Sequence, residues 1–243
     1  MLVLDKNYLT LNPAFTFDDW ISLCNSDGSA VLINKDKGWT SFDVIAKIRK
    51  IIGIRKIGHC GTLDPFATGL LILCIGKSTK QVATFQELSK QYLTRIKLGA
   101  TTKSHDTETE EENFCDVSNL SVNTIQNALH SFIGNIEQIP PMYSAKKIDG
   151  KKLYQLARKN IEITRNPTQV SIENIEIIDI NLPFVDVRIK CSKGTYIRSL
   201  ARDVGEKLGV GGYLTELVRL RIGDYDVEYS FKLEDIVSFS KMI

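Results

Sequence analysis

An aspartate stands alone at position 64, in the stretch GHCGTLDPFATG that runs from Gly58 to Gly69. Glycines, threonines and apolar residues surround it, and Pro65 follows directly. A carboxylate so placed has two uses. It can accept backbone N–H groups in a turn, as Asp before Pro commonly does. It can also serve as a single nucleophile or acid–base group in a partly dry site. Gly61 and Gly69 permit a tight turn or close backbone approach to a ligand, and Pro65 removes a donor and fixes φ. In a dry site the carboxylate needs a cation to remain ionised. Arg198, in SKGTYIR, is the candidate, because it follows a glycine turn and opens a helix.

Other chemistries fail on spacing. Gly76-Lys77-Ser78 resembles the end of a phosphate-binding loop, but the required earlier glycine is Leu71. Gly209-Val210-Gly211-Gly212 would need its third fingerprint glycine where Leu214 stands. His59, His105 and His130 are too far apart for a local metal motif. The 5 cysteines are scattered with no C-x-x-C pair, which argues against a disulfide framework or a cysteine zinc site. A zinc base deaminase signature is missing too. We expect neither metal nor cofactor.

The elements that must position these residues follow from periodicity. With 243 residues, 43% of them hydrophobic, the chain can bury a sizeable core. Residues 1–29 are hard to read and look like an extension. Residues 30–34, AVLIN, read as a buried strand. Thr40 caps a helix with Asp43 at the capping-box position, and Val44, Ile45, Ile48 and Ile52 share its inner face. Residues 70–75 read as an inner strand. Tyr92, Thr94, Ile96 and Leu98 alternate on one side of a half-buried strand. Ser121 caps a helix expected to end at Gly134. Strand segments fill residues 168–191, broken at 181–183. Ile197, Leu200, Ala201, Val204 and Leu208 line a helix stopped by Gly209, and alternation returns at 220–227. Without a regular βαβ rhythm, the fold class is α+β with a mixed, largely antiparallel sheet flanked by helices.

Charge is nearly balanced, 31 basic against 29 acidic residues, but it is segregated. Residues 35–56 and 146–165 are basic runs, whereas 106–116 is acidic. Such runs are either solvated helix faces or a basic surface for an anionic partner. The N-terminus lacks a basic signal-peptide start, and no apolar run is long enough to span a membrane. A soluble, cytoplasmic protein is expected.

Four stretches in order carry a family resemblance: HCGTLDPFATG with LLILCIGKSTK, KQYLTRIKLG, IPPMYSAKKIDGKKLYQLAR, and CSKGTYIRSLARDVGEKLG. Together they resemble the bacterial tRNA pseudouridine synthase B family, relatives of dyskerin, from about Ala30 to Val227. The resemblance implies the pseudouridine-synthase fold over residues 30–243. It also implies isomerisation of a flipped-out uridine at position 55 of the tRNA T-loop, without a cofactor. Asp64 would be the nucleophile. Tyr92 would stack on the uracil and assist proton removal from C5. Arg198 would pair with Asp64 and help hold the nucleotide. His59 would fill the gap left by the flipped base, Tyr196 and Leu217 would line the pocket, and Lys80 would support it. The expected partner is tRNA through its T-arm, met by a monomer away from any membrane.

The sequence departs from the family's pattern in several places. Lys35-Asp36 stands where the family has Lys-Pro, and Val218 replaces the middle residue of a Leu-Arg-Arg segment. We expect no C-terminal PUA-type RNA-binding domain. A rival class, a non-catalytic tRNA binder or RNA-folding chaperone of the same fold, is disfavoured by the presence of Asp64, Tyr92 and Arg198 together. A base-releasing glycosylase would need a second acid that no motif places.

Overall fold

The computed structural model describes residues 1–241 apart from 145, 149 and 160, and for 147, 148, 151 and 152 the backbone alone. The basic run 146–165 therefore lies partly outside the described residues.

In chain order the elements begin with β1 (Leu2–Leu4), α1 (Lys6–Leu11), α2 (Phe17–Ser26), β2 (Ser29–Lys35), α3 (Ser41–Ile52), β3 (Ile57–His59) and β4 (Thr68–Ile75). A 3-10 helix, Gly76–Gln81, leads to α4 (Val82–Glu87) and β5 (Lys90–Leu98). Next come β6 (Thr101–Thr102), β7 (Glu111–Glu112), α5 (Val122–His130), β8 (Gly134–Gln138), β9 (Lys147–Ile148), β10 (Lys151–Lys152) and α6 (Leu153–Ala157). The last are β11 (Thr168–Asn181), β12 (Phe184–Cys191), α7 (Ile197–Leu208), β13 (Gly212–Ile222), β14 (Tyr225–Asp226) and α8 (Leu233–Phe239). They form two compact units, one of Met1–Tyr92 with Val218–Ile243, the other of Leu93–Leu217.

In the first unit, β4 is the central strand. Along one edge it pairs antiparallel with β2 through the whole of Gly69–Ile75. Its other edge is divided. Residues Leu73–Ile75 pair antiparallel with β3, and Thr68 and Gly69 pair in parallel with Val218 and Arg219 of β13. β1 adds in parallel to β2, so residues 1–29 supply a strand and two helices to this unit. Trp20 of α2 is fully buried and donates its indole N–H to Ser29 Oγ at 3.2 Å.

The run Leu70–Ile75 is apolar without alternation because both faces of β4 are covered. Leu70, Ile72 and Cys74 join Ala30, Leu32, Cys60, Phe85 and Ile222 in one cluster. Leu71 and Leu73 point the other way and are equally buried. Each such side chain contributes roughly 1.5–3 kcal/mol. α3 begins at the expected capping box, with Thr40 Oγ1 accepting from Asp43 N and the Asp43 carboxylate accepting from Thr40 N. It ends at Gly53, whose φ of 71° no β-branched residue would adopt cheaply.

The second unit is a sheet with the order β13, β5, β12, β11, β8. β11 and β12 form a long antiparallel hairpin, and β8 pairs antiparallel with β11. Burial alternates strictly along β5, as its sequence pattern requires. α7 buries Ile197, Leu200, Ala201 and Val204 and stops at Gly209, φ 74°. α5 is capped by Ser121 as expected, but ends at His130 rather than Gly134. Gly134, φ 108°, opens β8 instead, so its conformational freedom serves a strand start. Pairing is mainly antiparallel in both units, with the parallel pairs β1·β2 and β4·β13, which makes the fold a mixed α+β one.

Candidate active site

Asp64 sits on the excursion between β3 and β4, where the chain leaves one edge partner of β4 and rejoins the sheet beside the other. Its carbonyl accepts the Ala67 N–H at 3.1 Å, closing a turn with Pro65 at the second position. The turn of the Asp-Pro reading is present, closed by the main-chain carbonyl. The backbone makes a turn, and the turn presents a half-buried carboxylate.

Three tethers hold the excursion. Leu63 N donates to Ser41 Oγ at 3.0 Å, and that hydroxyl donates to Leu63 O at 3.3 Å. Gly38 N donates to Pro65 O at 2.7 Å. Arg219, 2% exposed, donates Nε to Leu70 O at 2.7 Å, Nη2 to Gly61 O at 3.1 Å and Nη1 to Thr62 O at 3.4 Å. One guanidinium thus clamps both ends of the excursion. Gly61 and Gly69 have φ of 105° and 101°, and a Cβ on Gly69 would lie 2.3 Å from Arg219 O.

Lys35 is a second buried cation here. Its ammonium donates to Asp36 O at 3.0 Å and Trp39 O at 2.8 Å. Burial pulls its pKa down to about 8, and the Asp64 carboxylate acts in the opposite direction. Asp36, which stands where the family has Pro, is exposed, while the lysine before it turns inward. His59, at the end of β3, meets Phe42 edge to face with centroids 5.4 Å apart. Burial, and then Arg219, hold the imidazole below its ordinary pKa, which favours the neutral ring. Tyr92 is buried on β5, and Lys80 is exposed on the 3-10 helix.

Arg198, Tyr196 and Leu217 belong to the second unit. Arg198, at the first turn of α7, is 3% exposed, and the partner its own unit supplies is Asp106, 1% exposed, at 3.1 Å. It also donates to Ser104 O at 3.0 Å and Tyr143 O at 2.5 Å. Tyr196 caps α7 and is locked by Gln138, which accepts from Tyr196 N at 2.7 Å and donates to Tyr196 O at 3.0 Å. Leu217 is buried on β13.

The sequence reading missed Asp106, Arg219, Ser41 and Gln138. Asp106 heads the acidic run and read as one surface charge among several. Arg219 occupies an inward position two residues after Leu217, and a cation on the buried side of a strand was its one local signal. Ser41 and Gln138 carried none, because their partners lie 22 and 58 residues away.

Among the described residues, no helix is long and apolar enough to cross a membrane. Residues 49–197 match the model for TruB family pseudouridylate synthase (N terminal domain), and residues 198–242 match the tRNA pseudouridylate synthase B C-terminal domain. The chain is 49% identical over 216 residues to a protein of Chloroherpeton thalassium named tRNA pseudouridine synthase B, covering 87% of this chain and 90% of that one. It is 48% identical to the protein of the same name from Clostridium tetani, covering 84% and 71%. Among solved structures, a chain of a Cbf5-Nop10-Gar1 complex superposes with a TM-score of 0.69 at 28% identity, over 92% of this chain and 60% of that one. With the family model spanning more than half its length and near-half identity over most of it, this chain belongs to the TruB family of pseudouridylate synthases.

Proposed function

We propose that the protein isomerises uridine to pseudouridine in tRNA, at position 55 of the T-loop, with Asp64 as nucleophile. The observation that carries this reading is the tethered turn: a single half-buried carboxylate on backbone held by Arg219, Ser41 and Gly38, in a chain of this family. A tethered turn keeps the nucleophile near its attack geometry, which lowers the entropic part of the barrier.

The reaction needs no net oxidation or hydrolysis. The N1–C1′ bond breaks, the uracil turns, C5 bonds to C1′, the C5 proton passes to solvent, and N1 takes up a proton in its place. Asp64 attacks either C1′ of the ribose or C6 of the base. Tyr92 stacks on the uracil and assists removal of the C5 proton. Arg198, braced by Asp106, holds the extruded nucleotide and supplies positive charge. His59 fills the space left in the RNA stack, as a neutral ring. Tyr196 and Leu217 line the pocket, and Lys80 supports it from the surface. Extruding the base costs a few kcal/mol, least in a loop where pairing is already absent. The protein acts as a monomer in the cytoplasm, where the tRNA is.

Loss of the C5 hydrogen supplies the test. RNA carrying tritium at C5 of uridine is incubated with the protein, and label released to water is counted. We expect stoichiometric release from the T-loop uridine alone, and none from Asp64→Asn, whose RNA affinity stays within several-fold. Release at other uridines would overturn the position. Substantial turnover by Asp64→Asn would overturn the nucleophile. RNA binding without release would restore the chaperone class.

A further inference from the structure

We propose a second RNA-contact site, a groove on the outer side of α3 that takes the strand flanking the target nucleotide; the inference rests on the tRNA reading above. The groove has a volume of about 520 Å³ and is lined by Gly38, Trp39, Asp43, Ala46, Lys47 and Lys50. Residues 43, 46, 47 and 50 form one helical stripe. Ala46 is its floor, the half-buried Trp39 its wall, and the exposed Lys47 and Lys50 its far rim.

Such a lining suits a single strand of nucleic acid. An indole is a platform on which any base can stack, and two ammonium groups one helical turn apart can meet successive phosphates. The one acid present is already engaged: the Asp43 carboxylate accepts Thr40 N at 2.8 Å and Thr40 Oγ1 at 2.6 Å. Those bonds hold Asp43 below the usual carboxylate range, so it remains an anion turned toward its own helix end.

The backbone links the groove to catalysis. Trp39 O accepts from Lys35, the buried cation that senses Asp64. The neighbouring Gly38 N donates to Pro65 O, within the Asp64 turn itself. A strand on Trp39 therefore runs beside the catalytic turn, which the adjoining Gly38 joins through one hydrogen bond. The bases flanking the target are the segment within reach.

Trp39 also provides the probe. The protein has 2 tryptophans, and the other, Trp20, is fully buried. Titration with a T-arm stem-loop RNA should quench tryptophan emission in the wild type. In Trp39→Phe the RNA-dependent quench should vanish. The double variant Lys47→Gln/Lys50→Gln should raise KM about tenfold, keep kcat within about twofold, and lower the slope of log KM against log salt by about 1.4. The thermal midpoint of the double variant, read alongside, should not move, because Lys47 and Lys50 are both exposed. Unchanged emission at saturating RNA, or unchanged KM and salt slope in the double variant, would overturn the groove. Wild-type turnover decides the isomerase reading separately. If turnover is absent, the fluorescence titration still decides the groove.

Discussion

At the scale of single residues, the site is a study in buried cations given fixed partners. Arg198 makes three bonds in its unit, to Asp106, Ser104 O and Tyr143 O, and each uses the planar fork of the guanidinium. An ammonium cannot reproduce that set, so Arg198→Lys is not conservative. We expect its kcat to fall at least about a hundredfold, a loss of roughly 2.7 kcal/mol in transition-state stabilisation. Asp106→Asn keeps the shape but breaks the buried ion pair with Arg198, a loss that typically costs about 3–5 kcal/mol in stability. It should therefore lower both kcat and the thermal midpoint. Steady-state kinetics with a melting curve for each variant check this pair, and an active Arg198→Lys would remove Arg198 from the mechanism.

At the scale of elements, the decisive feature is the divided edge of β4. β3 occupies one half and β13 the other, so the connecting excursion must leave the sheet between them and carry Asp64 with it. Gly69 sits at the point of return, where strand β13 runs so close that a side chain has no room. Gly69→Ala combines a φ of 101° with a Cβ 2.3 Å from the Arg219 carbonyl. We expect it to cost roughly 2–5 kcal/mol, the sum of left-handed strain and overpacking. Gly53→Ala has a comparable φ of 71° but nothing within 4 Å, and should cost only about 1 kcal/mol. Denaturant melts of the two variants separate close packing from backbone strain alone; equal losses would show that strain is the whole effect.

At the scale of the molecule, the first unit is discontinuous in sequence. Its first 92 residues are completed by 218–243, which bring Arg219, Ile222 and α8. Phe239 of α8 packs against Phe17 and Trp20, with centroids 5.6 and 6.5 Å apart. A chain truncated after Leu217 should lose the cooperative melt of this unit, and Trp20 emission should shift to the red as water reaches the ring. It should also be inactive, since nothing then bridges Gly61, Thr62 and Leu70. A truncated chain that still melts cooperatively, followed by tryptophan emission, would show that the N-terminal segment folds by itself.

The sequence by itself determined whatever depends on near neighbours. The capping box at Thr40, the doubly covered strand 70–75, the alternation of β5 and the Gly209 stop are all local preferences that packing reinforces. Ordered motifs around Asp64, Tyr92 and Arg198 were enough to indicate the family. In residues 1–29, α1 spans 6 residues and β1 spans 3, too few for a period to show, whereas α2, 10 residues behind a Thr16–Asp19 capping box, had a local signal that was passed over. Only the tertiary structure decided which charges are inside. Arg219 and Lys35 satisfy their donors on carbonyls supplied by the folded backbone, and Asp106 is buried because Arg198 arrives from 92 residues away. A buried charge exists by virtue of its partner, and where partners are distant in sequence, only the fold can bring them together.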